Sequence, residues 1–296
     1  MRGQRALVLA VLTAPGLLIF IAFALGPMIA AGGIGFLTWD GISAPQFAGG
    51  RNWVATLTNP VTLHALRLTA ELMALSWVIQ TPIALALGVF IAGRSRYRAV
   101  LAVLYFLPLL FSAVAIGIAW SNAILSQNGA LNVLLRTIGL GGLAANWLGS
   151  PSIALYTIAG VIAWQFIPFH TLLFQAGRRQ VPPVLYEAAV MDGANDWSQF
   201  VHITLPQLRY TIVTSTTLNL IGSLTYFDLI YIMTGGGPGF ATRTLSLQMY
   251  ITAFQDTEIG YGCAIAVLLA VIGLVLAAVL VRVTGFGAMQ SQVEGL

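Results

Sequence analysis

The sequence contains no lysine and a single cysteine, and charged residues of every kind make up only 7% of its 296 positions. Each scarcity excludes something. A soluble domain carries about 25% charged residues, so this chain cannot be a soluble globular protein. A phosphate-cradling glycine loop needs a lysine after its glycines to reach the β- and γ-phosphates, so the chain has no standard ATP-hydrolysing site of its own. Cys263 can close no internal disulfide and reads as a small packing residue. His64, His170 and His202 are far apart in the sequence, and neither His-Glu-x-x-His nor Gly-x-Ser-x-Gly occurs, so neither a catalytic constellation nor a metal-ligand set is read.

What the chain does have is apolar length. Hydrophobic residues make up 58% of it, gathered into six runs at about 6–31, 66–92, 99–124, 152–176, 211–233 and 262–283. Each is long enough to cross a bilayer as a helix, which takes about 17–25 residues. A helix is required because lipid offers no partners for backbone polar groups, and the segments of a closed β-barrel would be shorter and alternating. The expected fold class is an all-α integral membrane protein of about six spans. Arg2 and Arg5 before the first run and Ala22-Phe23-Ala24 within it imitate a secretory signal, but the apolar stretch outlasts a signal core, and an uncleaved first helix is expected.

All the basic residues are arginine, and their distribution sets the topology. With the N-terminus inside, Arg2, Arg5, Arg94, Arg96, Arg98, Arg178, Arg179, Arg209 and Arg282 lie on the cytoplasmic side. Only Arg51, Arg67, Arg136 and Arg243 lie outside, so both termini are expected in the cytoplasm and the positive charge reports topology, not nucleic-acid binding. Three stretches follow: 1–65, a first helix with an extracytoplasmic segment; 66–283, a five-helix core; and 284–296, a cytoplasmic tail.

The inside loop at 177–210 is patterned. Pro182-Pro183, the run 184–191, Asp192-Gly193-Ala194-Asn195, the run 196–204 and Leu205-Pro206 predict two short helices around a glycine turn, with Asn195 as N-cap and Asp196 at the positive end of the second helix dipole. Leu185, Tyr186, Met191, Trp197, Phe200, Val201 and Ile203 give these helices more apolar surface than an isolated loop hides. The residues alone leave two readings open, a segment lying against the membrane or its own bundle, and a docking surface for a soluble partner.

The fifth run is unusually polar. Asn219, Ser223 and Tyr226 recur at helical spacing and Asp228 follows; Trp120, Ser121, Asn122, Trp164 and Gln165 are further candidates on the third and fourth runs. They read either as hydrogen-bonding glue between helices or as the wall of a polar cavity in which aromatic faces cover a sugar and amides bind its hydroxyls. A proton-driven carrier would need ionisable groups in mid-membrane, whereas Glu71 and Asp228 fall near span ends and Arg67 lies one turn from Glu71. That weighs against a secondary transporter or channel, and an intramembrane enzyme lacks its residues altogether.

Glu187-Ala188-Ala189, three residues, Gly193, nine residues, Ile203, one residue and Leu205-Pro206 resemble the EAA signature of permease subunits in binding-protein-dependent ATP-driven importers, with every fixed position at the family spacing. Thr234-Gly235-Gly236-Gly237-Pro238, then Leu245, Tyr250, Ala253-Phe254, Gly260-Tyr261 and Ala264, resemble the outer loop and last span of the sugar branch related to the maltose and glycerol-3-phosphate importers. The stretch 47–53 is a weaker match, departing from the pattern at Gly50-Arg51.

This resemblance implies a type I importer permease fold in the bacterial inner membrane. It implies that Glu187, Ala188, Ala189, Asp192, Gly193, Ala194, Ile203, Leu205 and Pro206 form coupling helices on an ATPase, with Ala188 and Ala189 permitting close approach, Gly193 the reversal and Pro206 ending the unit. It implies that Gly235, Gly236, Gly237 and Pro238 face an extracytoplasmic solute-binding protein. The implied partners are a second, homologous permease in a heterodimer, two copies of an ATP-binding subunit holding ATP and magnesium, and membrane lipid. The chain itself would bind no cofactor and catalyse nothing.

Overall fold

The computed structural model describes the backbone of residues 2–93 and 95–284, and side chains over 11–93 and 95–282. Arg94 and, past its first residue, the expected tail 284–296 lie outside the described residues, as do the side chains of Arg2 and Arg5. The described chain is helical almost throughout and forms two units, one made of residues up to His64 with Gln248–Ile272, the other of Ala65–Leu247 with the residues from Gly273 onward.

In the first unit, α1 (Arg2–Phe20) passes through a π-turn at Ile21–Leu25 into α2 (Gly26–Ile34), and the apolar stretch Val11–Ile34 is 24 residues long. A short hairpin follows, β1 (Leu37–Thr38) antiparallel to β2 (Gln46–Phe47), then α3 (Arg51–Thr58). Asn59 accepts from Val61 N at 2.8 Å and caps α4 (Pro60–Ile91), whose first residue is the proline that tolerates having no N–H there. Asn52 explains why hairpin and helix stay together: its buried amide donates to Gly35 O at 3.1 Å and Leu37 O at 2.9 Å. Gly260 near the start of the last helix approaches the Leu37 carbonyl too closely for any side chain, and Tyr261 Oη lies 2.6 Å from Thr62 Oγ1.

The second unit is built on α8. After α4 come α5 (Arg96–Leu110), α6 (Ala113–Ile118, continued by a π-turn at Ala119–Ile124), α7 (Ala130–Thr137) and α8 (Ala154–Gln180). After the hairpin that follows α8 come α12 (Arg209–Leu224), α13 (Asp228–Thr234) and α14 (Leu245–Tyr250), and the last described helix is α15 (Ile259–Thr284), whose residues up to Ile272 belong to the first unit. The helix α8 packs on α5, α12 and α13, and α13 packs on α6. Ala84, Ala163, Ile167 and Phe174 form a buried cluster, and Gly88 lets α4 meet the backbone of α8 at Thr171 and Gln175.

All six apolar runs fold as helix, but not alike. Val11–Ile34, Pro60–Ile91, Ala154–Gln180 and Ile259–Arg282 are unbroken and span-length. The third run bends by 92° between α5 and α6, because Phe111 and Ser112 are extended and Ser112 starts a new helix by accepting from Ala115 N. The fifth run also breaks. Thr225 turns its hydroxyl back onto Gly222 O at 2.9 Å and α12 stops at Leu224, a local bond competing with helix continuation. Glu71 receives a hydrogen bond from Tyr156 Oη of α8 at 2.8 Å.

Candidate functional site

Two constellations stand out in the second unit, the hairpin between α8 and α12 and a largely apolar cavity beside α8 that holds a few polar groups. The hairpin contains α9 (Pro183–Met191), a turn through Gly193, α10 (Asp196–Gln199) continued by a π-turn at Phe200–Thr204, and α11 (Leu205–Gln207). Gly193 holds φ +78, which a residue with a Cβ adopts only under strain, so the reversal needs its glycine. Asn195 caps α10 through Ser198 N at 2.8 Å, and the Gln199 amide donates to Ala194 O at 3.0 Å, tightening the turn. Glu187, Ala188 and Ala189 lie on α9, the first two exposed; Ile203, Leu205 and Pro206 carry the return. At the tip, Met191 is 87% and Trp197 71% exposed, and the Trp197 ring stacks on Phe200. Pro206 does not end the unit. It occupies the first turn of α11, where its missing N–H costs nothing, and the chain resumes in α12 after Leu208.

The second constellation is a cavity of about 290 Å³, whose lining includes Gln165, Phe166, Thr225, Tyr226, Asp228 and Leu229. Tyr226 and Phe166 face each other at 5.4 Å. Gln165 is 5% exposed and its Oε1 has no hydrogen-bond donor. Trp120 and Trp164 meet edge-on at 5.4 Å, and Asn122 turns its amide onto its own helix at Ile118 O. Asn219 and Ser223 share a face of α12, and Tyr226, though it falls in the break between α12 and α13, still brings its hydroxyl to Ser223 and Gln80 beside them.

Asn219 and Ser223 are buried inside the helix packing. Asn219 Nδ2 donates to Gln80 Oε1 of α4 at 2.9 Å and lies 3.4 Å from His170 Nε2 of α8, while His170 Nδ1 pairs with Ser215 Oγ at 2.9 Å. Three helices, α4, α8 and α12, are thus tied by amide, imidazole and hydroxyl groups. Sequence reading missed Gln80 and the His170–Ser215 pair. An ionisable residue inside an apolar run was the signal available for His170, and Gln80 is likewise a polar residue in an apolar run.

Thr234 to Thr242 is no loose glycine linker. Gly235 and Gly236 have φ of +59 and +93, Thr242 Oγ1 donates to Gly237 O at 2.9 Å, and the Thr234 and Thr242 hydroxyls meet at 2.7 Å.

A model of the inner membrane components of binding-protein-dependent transport systems matches residues 84–284, the stretch from α4 to the end of α15 that holds both constellations. The chain belongs to this family. A probable ABC transporter permease of Pyrococcus horikoshii is 33% identical over 82% of this chain and 83% of its own length. The diacetylchitobiose uptake permease NgcF of Streptomyces coelicolor is 33% identical over 93% of this chain and 82% of its own length, and the trehalose/maltose permease MalF of Thermococcus litoralis 31% over 83% and 82%. Among solved structures, a bacterial ABC transporter involved in alginate import superposes with a TM-score of 0.80 over 95% of this chain and 96% of its own at 23% identity, which shows the fold. The permease is therefore a multi-pass membrane subunit with the type I importer fold.

Proposed function

We propose that this permease forms half of a translocation pathway for a sugar or related polar solute and is driven by an ATPase on another chain that docks on the hairpin 177–210. One observation carries the reading: a capped, glycine-reversed hairpin holds Met191 and Trp197 out at its tip, each more than two-thirds exposed, with Glu187 and Ala188 exposed on α9. A large apolar tip on a rigid support marks a protein contact, and small residues beside it allow close approach. Asp192, Gly193 and Ala194 shape the turn, while Ile203, Leu205 and Pro206 return force to α12. ATP and magnesium belong to the partner.

The solute class is supported by relatives named for trehalose/maltose and diacetylchitobiose uptake, and by the cavity's chemistry. Aromatic faces at Tyr226 and Phe166 suit the C–H face of a sugar ring; the unpaired Gln165 oxygen and the Asp228 carboxylate suit its hydroxyls. At about 290 Å³ the cavity lies just below the roughly 300–1,000 Å³ range of small-molecule sites. Trp120, Asn122 and Trp164 extend the pathway, while Asn219 and Ser223 hold its wall. A homologous second permease completes the pore. An extracytoplasmic solute-binding protein delivers the solute to the outer loops, among them Gly235 to Pro238; one solved relative is an alginate transporter in complex with a periplasmic protein. Both termini face the cytoplasm of a bacterial inner membrane. ATP binding turns the cavity outward and hydrolysis resets it, alternating access driven by ATP's differential affinity for the two states.

Purification in mild detergent tests this. A nucleotide-binding chain and a second permease are expected in the particle, with ATP hydrolysis stimulated by a solute-loaded binding protein. A lone stable oligomer that transports without ATP would refute it.

A further inference from the structure

Between α8 and the hairpin lie only Val181 and Pro182, both extended. The prolines fix φ at 182 and 183 and hold ψ at 181 and 182 in the extended range, so the joint interrupts the helix and can bend only within that range. Any bending left there would absorb part of a displacement of the hairpin before it reached the spans.

Side chains close the joint. The Arg178 guanidinium, in the last turn of α8, lies 3.9 Å from the centre of the Tyr186 ring on α9. The Tyr186 hydroxyl reaches Thr204 Oγ1 at 2.9 Å, and Thr204, 2% exposed, belongs to the π-turn leading back to α12. One ring therefore touches the outgoing and the returning strand of the loop. Beside it the two flanking helices are already in contact: a Cβ on Gly177 would lie 2.6 Å from Thr211 Oγ1 and 2.9 Å from Leu208. About two turns further along α8 the His170–Ser215 bond joins the same pair.

We infer that Tyr186 is a positioning residue that locks α8, the hairpin and the start of α12 into one rigid lever, through its ring on Arg178 and its hydroxyl on Thr204. This deepens the docking reading and rests on it. At 1.5 Å per residue the lever carries movement about 20 Å, from Arg178 to Gln165 at the cavity.

The test uses the whole complex as it purifies from the membrane, reconstituted in nanodiscs. Tyr186→Ala removes both links; Tyr186→Phe keeps the ring over Arg178; Thr204→Val removes only the hydroxyl partner. In Tyr186→Ala, the ATPase is expected to stay bound and solute moved per ATP hydrolysed to fall about tenfold, with Phe and Val in between. Spin labels at Leu172 on α8 and Val190 on α9 are expected to give a narrow distance distribution in the parent and a broad one in Tyr186→Ala. A transport-to-hydrolysis ratio within twofold of the parent, or an unbroadened distribution, overturns the inference. So does loss of the ATPase from Tyr186→Ala, which would make the residue part of the docking face. Absence of any ATPase from the parent complex would instead refute the docking reading, and the spin-label distances alone would then decide whether Tyr186 braces the loop.

Discussion

Gly88 offers a measurement of how tightly α4 and α8 must meet. A Cβ added there would lie 2.5 Å from the Phe174 Cβ, 2.9 Å from Thr171 O and 3.0 Å from Gln175 N. Two of these are backbone atoms and the third is fixed to it, so no rotamer relieves the contact. Carbon atoms pack best at about 3.5–4.0 Å, so the helices must part by roughly 1 Å, a gap that forfeits a quarter to a half of the dispersion energy across it. The contacts loosened are those that join Ala84 of α4 to the α8 side of the same buried cluster, Ala163, Ile167 and Phe174. Overpacking of this kind costs about 1–3 kcal/mol, and alanine returns about 1 kcal/mol of helix propensity. The expected net loss in Gly88→Ala is about 0–2 kcal/mol, or a thermal midpoint lower by up to about 8 °C. Gly160→Ala in α8 is the control, because a Cβ there meets nothing within 4 Å and only the propensity gain remains. Midpoints of the two variants, followed by tryptophan fluorescence in one detergent, should separate in opposite directions. Equal midpoints would refute the close-packing argument.

Three further outcomes are expected. Gly193→Val meets no neighbour but forces a branched residue to φ +78, so it should uncouple or detach the ATPase, whereas Gly193→Asn, which tolerates that region, should restore most transport; identical uptake in the two would remove the backbone explanation. Asn132, 1% exposed, bonds Ala145 through both amide ends and accepts from Trp147 Nε1 at 2.9 Å, so Asn132→Ala should destabilise the 125–151 loop by about 2–4 kcal/mol, read as faster proteolysis there. The Asp40 carboxylate accepts from Ile42 N, Ser43 N and the Ser43 hydroxyl, which lowers its pKa from 3.8 to about 2. A lowered folded-state pKa stabilises above the unfolded value and loses that effect as pH falls toward 2. The difference in thermal midpoint between the parent and Asp40→Ala should therefore be constant above pH 4 and shrink below it; a difference that changes between pH 5 and 8 would contradict this.

Periodicity and composition carried a long way here because a bilayer allows few solutions. The apolar runs and the paired helices of the 177–210 hairpin were both legible, since each depends on local chain chemistry: length of apolar run, Asn195 before Asp196, Gly193 at a reversal. Resemblance then marked Glu187 to Pro206 as a unit. Spacing did not show where a local side-chain bond overrides the helix, as Thr225 does at Gly222, so that Tyr226 meets Ser223 and Gln80 from the break and not from the helix itself.

Residue order by itself determined that the chain is helical and crosses a bilayer, because burial of unpaired backbone in lipid admits no alternative for runs of this length. Only tertiary structure decided which polar groups hold the spans together and which line a space. Gln80 and Asn219 are 139 positions apart, and Tyr186 reaches Thr204 across a reversal. Such pairings depend on how helices cross, and a crossing is set by many weak contacts acting at once, Gly88 under Phe174 and Gly177 against Thr211 among them, none of which leaves a pattern along the chain.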